Sequence, residues 1–143
     1  MTTIRQILSR KPDVYAVDPD ATVLAALRLL DQKNVGALLV MKGERLVGIF
    51  SERDYARRMI LHGRSSKETL VREVMTTEVF TIAPDATAGE CMAHMTDRHI
   101  RHLPVLEGGR VIGVISIGDI VRAVMEDMRF TIRQLESYIR SGG

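Results

Sequence analysis

The chain has 143 residues, 45% of them hydrophobic and 27% charged, a globular composition that excludes disorder and fibre. Its apolar runs, such as Val23–Leu27 and Ala37–Met41, fall far short of the roughly 20 residues of a membrane span; Met1–Gln6 holds no apolar signal-peptide core, and a lone Cys91 cannot form an internal disulfide, so a cytoplasmic protein is expected. Net charge is +2, divided as +4 over residues 1–70 and −2 over 71–143, which lacks the basic footprint of a duplex-DNA binder.

Sixteen of the 20 basic residues are arginine. Arginine's planar fork suits phosphates and carboxylates, so small phosphorylated ligands stay open, although composition alone favours solvated surface.

In chain order, Ile4–Leu8 leads into a β-rich piece at Val14–Val17, which ends in Pro19-Asp20-Ala21-Thr22. Asp20 or Thr22 can cap a following helix, expected over Val23–Lys33 with Val23, Leu24, Leu27 and Leu30 at helical spacing. Ala37–Met41, a turn at Gly43 and Leu46–Phe50 read as a β-hairpin. A second helix is expected from Ser51 to about His62, and Gly63–Glu68 reads as a polar connection.

The same order then returns. Thr69–Met75 leads in, and Val79–Ile82 ends at Pro84-Asp85-Ala86-Thr87. A helix is expected over Ala88–Arg98, a hairpin over Leu103–Leu106 and Val111–Ile115, and a helix from Ser116 to about Met128. At an offset of 65, Val14 to Ile60 matches without a gap, with 13 identities in 47 positions. The chain is a duplication.

The expected fold class is therefore α+β: two pseudo-symmetric β-α-β-β-α repeats packed through their sheets, with helices outside. The domains read as repeat 1 over 1–66, repeat 2 over 67–128, and a C-terminal helical tail over 129–143. In that tail Ile132, Leu135 and Ile139 form an apolar stripe that needs a surface to cover, on this chain or on a partner.

Signs of catalysis are few, and no enzyme is expected. His99 and His102 are three apart without a Cys or acidic residue to complete a metal set. Cys91 and the methionines Met92 and Met95 read as core. Nucleophile-elbow, Walker and dinucleotide glycine patterns are absent from the sequence. Gly48 and Gly113 mark strand positions of close backbone approach.

One pattern carries chemistry. Gly48-Ile49-Phe50-Ser51-Glu52-Arg53-Asp54 is echoed by Gly113-Val114-Ile115-Ser116-Ile117-Gly118-Asp119. Ser-x-x-Asp is a capping box, and once would be structural. Twice, at both strand-to-helix junctions, it sets helix N–H groups that favour an anion beside a carboxylate that can accept from two vicinal hydroxyls. Ribose with phosphate asks for that pair of functions.

These paired motifs, with Ile100-Arg101-His102-Leu103-Pro104-Val105, resemble a tandem cystathionine-β-synthase (CBS) domain pair, or Bateman module, of the stand-alone bacterial kind. The resemblance implies a non-catalytic regulatory module that binds adenine nucleotides in clefts between the repeats. AMP or ATP comes first; NAD is an alternative, and S-adenosylmethionine ranks behind because the basic residues would have no task. It implies one cleft with Asp54 on the ribose, Ser51, Arg53 and Arg57 near sugar and phosphate, and Thr76, Thr77, Val79, Ile100, Arg101 and His102 near the base. The other would use Asp119, Ser116 and Val114, opposite Lys11–Val14 (with Val14) and Val35-Gly36. No catalytic cofactor or metal is implied.

Arg53 and Arg101 correspond to Gly118 and Gly36, so the Asp54 cleft should hold phosphates more tightly. Lys11 reads as a mobile surface lysine; Arg57, Arg58 and Arg122 have a rival reading as solvated helix-face residues, which is the favoured one for Arg58. A homodimer and an unidentified regulated protein are the expected partners. The rival is a protein-interaction adaptor with vestigial clefts; single-stranded nucleic acid ranks last, with three Tyr, three Phe and no Trp for stacking.

Overall fold

The structure, a computed structural model, describes residues 1–11 and 14–142. It is α+β, and its elements follow the duplication. Helix α1 (Ile4–Leu8) precedes β1 (Ala16–Val17), α2 (Val23–Lys33), the hairpin β2 (Ala37–Lys42) and β3 (Arg45–Ser51), and α3 (Glu52–Arg58) with a 3-10 turn at Ile60–His62. Helix α4 (Val71–Val74) precedes α5 (Ala88–Arg98), the hairpin β4 (His102–Glu107) and β5 (Arg110–Ser116), and α6 (Ile117–Arg140).

Local chemistry sets the ends of these elements. Thr22 and Thr87, at equivalent positions, cap α2 and α5 by accepting from the N–H of Ala25 and Glu90, each at 3.1 Å. The aspartates of the two Pro-Asp-Ala-Thr turns do not cap. Both helices close on left-handed residues, Asn34 at φ 53° and His99 at φ 54°, a conformation short polar side chains tolerate. Both hairpins carry a register shift at the same place, between Val40 and Met41 and between Val105 and Leu106.

Contacts divide the chain into two compact units, one over 13–80 and the other joining 1–12 to 81–143. The division at 80/81 rather than 66/67 reflects an exchange of the lead-in helices, and residues 129–142 stay with the second unit because α6 runs through 128/129. In the first unit Val71 and Val74 of α4 are buried with Val23, Leu38, Val40 and Phe50, and the Val71 N–H donates to Ala21 O at 2.8 Å. In the second, Ile4 and Ile7 of α1 are buried with Cys91, Met95, Leu103 and Ile115, and the Ile4 N–H donates to Ala86 O at 2.9 Å. A short helix with two apolar residues does not encode which core receives it.

Two expected elements change shape. The β-rich piece at Val14–Val17 narrows to Ala16–Val17, parallel to β2, and Val79–Ile82 makes one bridge, Ile82 to Val105. The helix starting after Ser116 does not stop near Met128 but runs to Arg140, since no glycine or proline follows Gly118 until Gly142. Residues 129–140 of the expected separate tail are thus its continuation.

Candidate functional site

Each Ser-x-x-Asp motif folds as a strand end turning into a helix. Ser51 is the N-cap of α3: its Oγ accepts from the Asp54 N–H at 3.2 Å, and Asp54 Oδ2 accepts from the Ser51 N–H at 2.9 Å. Ser116 and Asp119 repeat this on α6 at 3.2 and 2.9 Å. Both halves of the capping box are therefore present, and Asp54 is buried.

The helix N-termini are less open to an anion than expected. The Glu52 N–H donates to Gly36 O at 3.1 Å, and the Ile117 N–H to Arg101 O at 2.8 Å. With the N–H groups of Asp54 and Asp119 held by serine, carbonyls of the preceding loops occupy donors that a phosphate would use. The carboxylates of Asp54 and Asp119 are the charged groups of these junctions.

The hydrogen-bond donors to Asp54 are neutral. Thr76 Oγ1 donates to Asp54 Oδ1 at 3.0 Å and Ser51 Oγ to Asp54 Oδ2 at 3.1 Å. Thr76 is fixed by a reciprocal backbone pair with Ile49, at 3.0 and 2.9 Å, at a place where Gly48 permits close approach: a Cβ there would stand 2.6 Å from Met75 Sδ and 2.9 Å from Thr76 O. Arg58 is not the solvated residue expected. Its Nη1 donates to Val74 O at 3.0 Å and Met75 O at 2.7 Å, fastening α3 to α4, and lies 4.0 Å from Asp54 Oδ1.

Around Asp119 the neighbours are cations. Lys11 Nζ donates to Asp119 Oδ2 at 2.6 Å and to Val114 O at 2.7 Å, and Arg122 Nη2 donates to Asp119 Oδ1 at 2.7 Å. Lys11 is thus a fixed ion-pair partner rather than a mobile surface lysine, with its side chain 27% exposed and that of Asp119 9%. Arg122 reaches the same carboxylate from a side chain that is 70% exposed. Burial pushes the Asp119 carboxyl up, but hydrogen bonds from Lys11 and Ser116 outweigh it and leave the group below its ordinary value.

The remaining expected residues are distributed as follows. Thr77 and Val79 follow Thr76, the Val79 N–H donating to Thr77 O at 3.1 Å. Arg53 and Arg57 lie on the exposed face of α3. Val35 and Gly36 form the half-buried entrance to β2, and Val14 is exposed. Pro12 and Asp13, within the expected Lys11–Val14 segment, lie outside the described residues. Ile100, Arg101 and His102 belong to the same unit as Asp119. There burial lowers the His102 pKa, Lys11 and Arg101 lower it further, and Asp119 opposes them.

Cys91 is buried, with its thiol pushed up to about 11 by desolvation, as expected of a packing residue. Among the described residues no cluster of three or more His, Cys, Asp or Glu could hold a metal ion, and no helix is long and apolar enough to cross a membrane.

Two repeats of the same element order, each with a half-buried or buried carboxylate at a strand-to-helix junction, define a tandem duplicated module. The chain belongs to the CBS domain family, whose model matches residues 4–61 and 71–126; it is a CBS domain pair, a regulatory module. It is 46% identical over 128 residues to the CBS domain-containing protein CBSX3, mitochondrial, of Arabidopsis thaliana, covering 86% of this chain and 62% of that one. The chain thus spans less than two thirds of that relative's length.

Among solved structures it resembles a Burkholderia ambifaria protein with CBS domains, at TM-score 0.85 and 48% identity, covering 88% of this chain and 96% of that one. It also resembles the CBS domain pair of protein MJ0100 in complex with 5′-methylthioadenosine and S-adenosyl-L-methionine, at TM-score 0.76 and 26% identity, covering 89% and 98%.

Proposed function

We propose that this chain is a non-catalytic sensor of adenine nucleotides, AMP or ATP, acting as a homodimer on a regulated protein. The observation that carries the reading is the contrast between the two carboxylates. A carboxylate offers about four acceptor positions, and both here have three taken by hydrogen bonds. Asp54 is hydrogen-bonded by neutral donors, and its nearest cation, Arg58, stands 4.0 Å off with its Nη1 given to two backbone carbonyls, so its charge is open to the O–H groups of a vicinal diol. Asp119 is already neutralised by Lys11 and Arg122, against which a hydroxyl competes poorly.

Asp54 is accordingly the ribose residue. Thr76 can turn its hydroxyl toward a ligand, and Arg53 and Arg57 are the phosphate residues on the same helix. The preference for the Asp54 side, expected from arginine placement, gains a separate support in the lysine that occupies Asp119.

The adenosyl ligands of the MJ0100 pair favour the adenosine part of this reading and give a second form of it, a sensor of phosphate-free adenosyl compounds. Titration calorimetry of nucleotide-free protein with AMP, ATP, NAD and S-adenosylmethionine tests both. Binding of AMP or ATP that is lost in Asp54→Asn and kept in Asp119→Asn supports the proposal. S-adenosylmethionine bound in preference to AMP and ATP selects the second form. Absence of binding by any of the four overturns the sensor reading in favour of the adaptor, and loss only in Asp119→Asn overturns the assignment of the ligand to Asp54.

Regulation requires that bound nucleotide favour one arrangement of the protein, which it does only through a difference in affinity between arrangements.

A further inference from the structure

From Met128 to Gly142 every residue of the chain is exposed, yet this stretch is mostly helix. Of α6, Ile120 and Ala123 are buried and Thr2 ties Asp127 through its N–H at 3.0 Å and its hydroxyl at 2.7 Å. A helical extension of this length without packing is marginal in water, and its apolar residues are not scattered.

Val121, Met125, Met128, Ile132, Leu135 and Ile139 are all exposed, and their positions are separated by four, three, four, three and four residues. This is a heptad seam, about 27 Å long at 1.5 Å per residue. The spacing reads the same from either end, with Phe130 at its centre. A helix turned end over end about Phe130 therefore places every seam residue against another: Val121 against Ile139, Met125 against Leu135, Met128 against Ile132.

The edges of the seam choose a direction. In an antiparallel pair, Arg122 of one copy meets Glu136 of the second, twice by symmetry, and Val124 meets Tyr138; Arg129 faces its own counterpart at the two-fold axis, a like-charge contact on the wet rim. In a parallel pair, Glu136 meets Thr131 and Arg129 meets Val124, with no opposite charges brought together.

We propose that α6 pairs antiparallel with α6 of a second copy of this chain through this seam. The proposal rests on the homodimer of the preceding reading for the number of copies and is independent of any nucleotide.

Sedimentation velocity of the full chain and of an Ile132→Glu/Leu135→Glu double variant tests it. A dimeric wild type and a monomeric double variant that still melts cooperatively are the expected results. A monomeric wild type removes the homodimer and the pairing together. A dimer that survives in the double variant overturns the pairing through α6 and leaves the homodimer standing.

Direction is tested by oxidising single-cysteine variants, with Cys91 left in its buried site. Val121→Cys and Ile139→Cys proteins, mixed and allowed to exchange subunits, should cross-link to each other and not to themselves. Self-cross-linking of either variant alone would overturn the antiparallel arrangement.

Discussion

Lys11 and Thr76 are one offset of 65 apart and perform the same two tasks with different atoms. Thr76 offers Asp54 its hydroxyl and Ile49 O its backbone N–H, at 3.0 and 2.9 Å. Lys11 serves Asp119 and Val114 O with one ammonium, at 2.6 and 2.7 Å. The duplication has kept the architecture and exchanged a neutral donor for a charge.

Lys11→Thr should therefore convert the Asp119 side toward the Asp54 side. If the sensor reading holds, calorimetric stoichiometry for AMP should rise from one per chain toward two, at a small cost in melting temperature. An unchanged stoichiometry would show that Arg122 alone suffices to close Asp119.

Asp54→Ala removes the returning half of the Ser51 capping box and a ligand acceptor together. The cap loss should cost about 0.5–2 kcal/mol, read as a lower melting temperature without ligand. Loss of the nucleotide-induced shift should exceed that cost: a ligand at about 100 times its Kd adds about 2.7 kcal/mol. An Asn here can still accept from the Ser51 N–H through its Oδ1, so Asp54→Asn should separate the two effects, losing ligand stabilisation with less loss of intrinsic stability.

His102 should make folding sensitive to mild acid. Burial, then Lys11 and Arg101, lower its pKa in the folded protein, so the unfolded chain binds a proton first as pH falls through about 6.5. Stability is therefore full above that value and declines as pH drops toward the lowered folded pKa. Melting temperatures between pH 7.5 and 5 should fall less steeply in His102→Gln than in the parent chain; parallel curves would remove His102 from the account.

Asp119 acts in a separate, more acid window. Its folded pKa is depressed, so its contribution is present above the ordinary aspartate value of about 3.9 and is lost as pH falls through the folded one. Asp119→Asn should lower the melting temperature at pH 7, and the two curves should approach each other as pH falls below the ordinary aspartate value.

Gly48→Ala and Gly113→Ala should differ although the two positions are equivalent. A Cβ at Gly48 meets the Thr76 carbonyl at 2.9 Å, whereas at Gly113 it meets the end of the Leu8 side chain. Leucine can rotate and backbone cannot, so Gly48→Ala should cost more, within the roughly 1–3 kcal/mol of overpacking. It should also weaken nucleotide binding, by moving Thr76 from Asp54. Denaturant melts and one titration series compare them.

What was legible in the sequence follows the range of the interactions that decide it. Helices α2 and α5 start and end where Thr22, Thr87, Asn34 and His99 dictate, because caps act over three or four residues. The hairpins and both Ser-x-x-Asp junctions were visible for the same reason, doubled by the repeat. The receiving core of α1 and α4 was not, since Ile4, Ile7, Val71 and Val74 declare only that they are apolar. The ion pair of Lys11 was also missed, though a signal existed. Carrying the repeat register three residues upstream of Val14 aligns Lys11 with Thr76, next to a segment already assigned to the ligand.

The exchange of lead-in helices bears on the order in which the chain can be assembled during synthesis. Residues 13–80 form a unit that is complete as soon as α4 has left the ribosome. The first twelve residues, made earliest, belong to a unit whose remainder begins at residue 81. At about 5–20 residues per second, Ile4 and Ile7 wait several seconds for Cys91, Leu103 and Ile115. The earliest segment is thus the last to find its place, and a fragment ending at residue 66 would hold an unclaimed α1 and a core without α4.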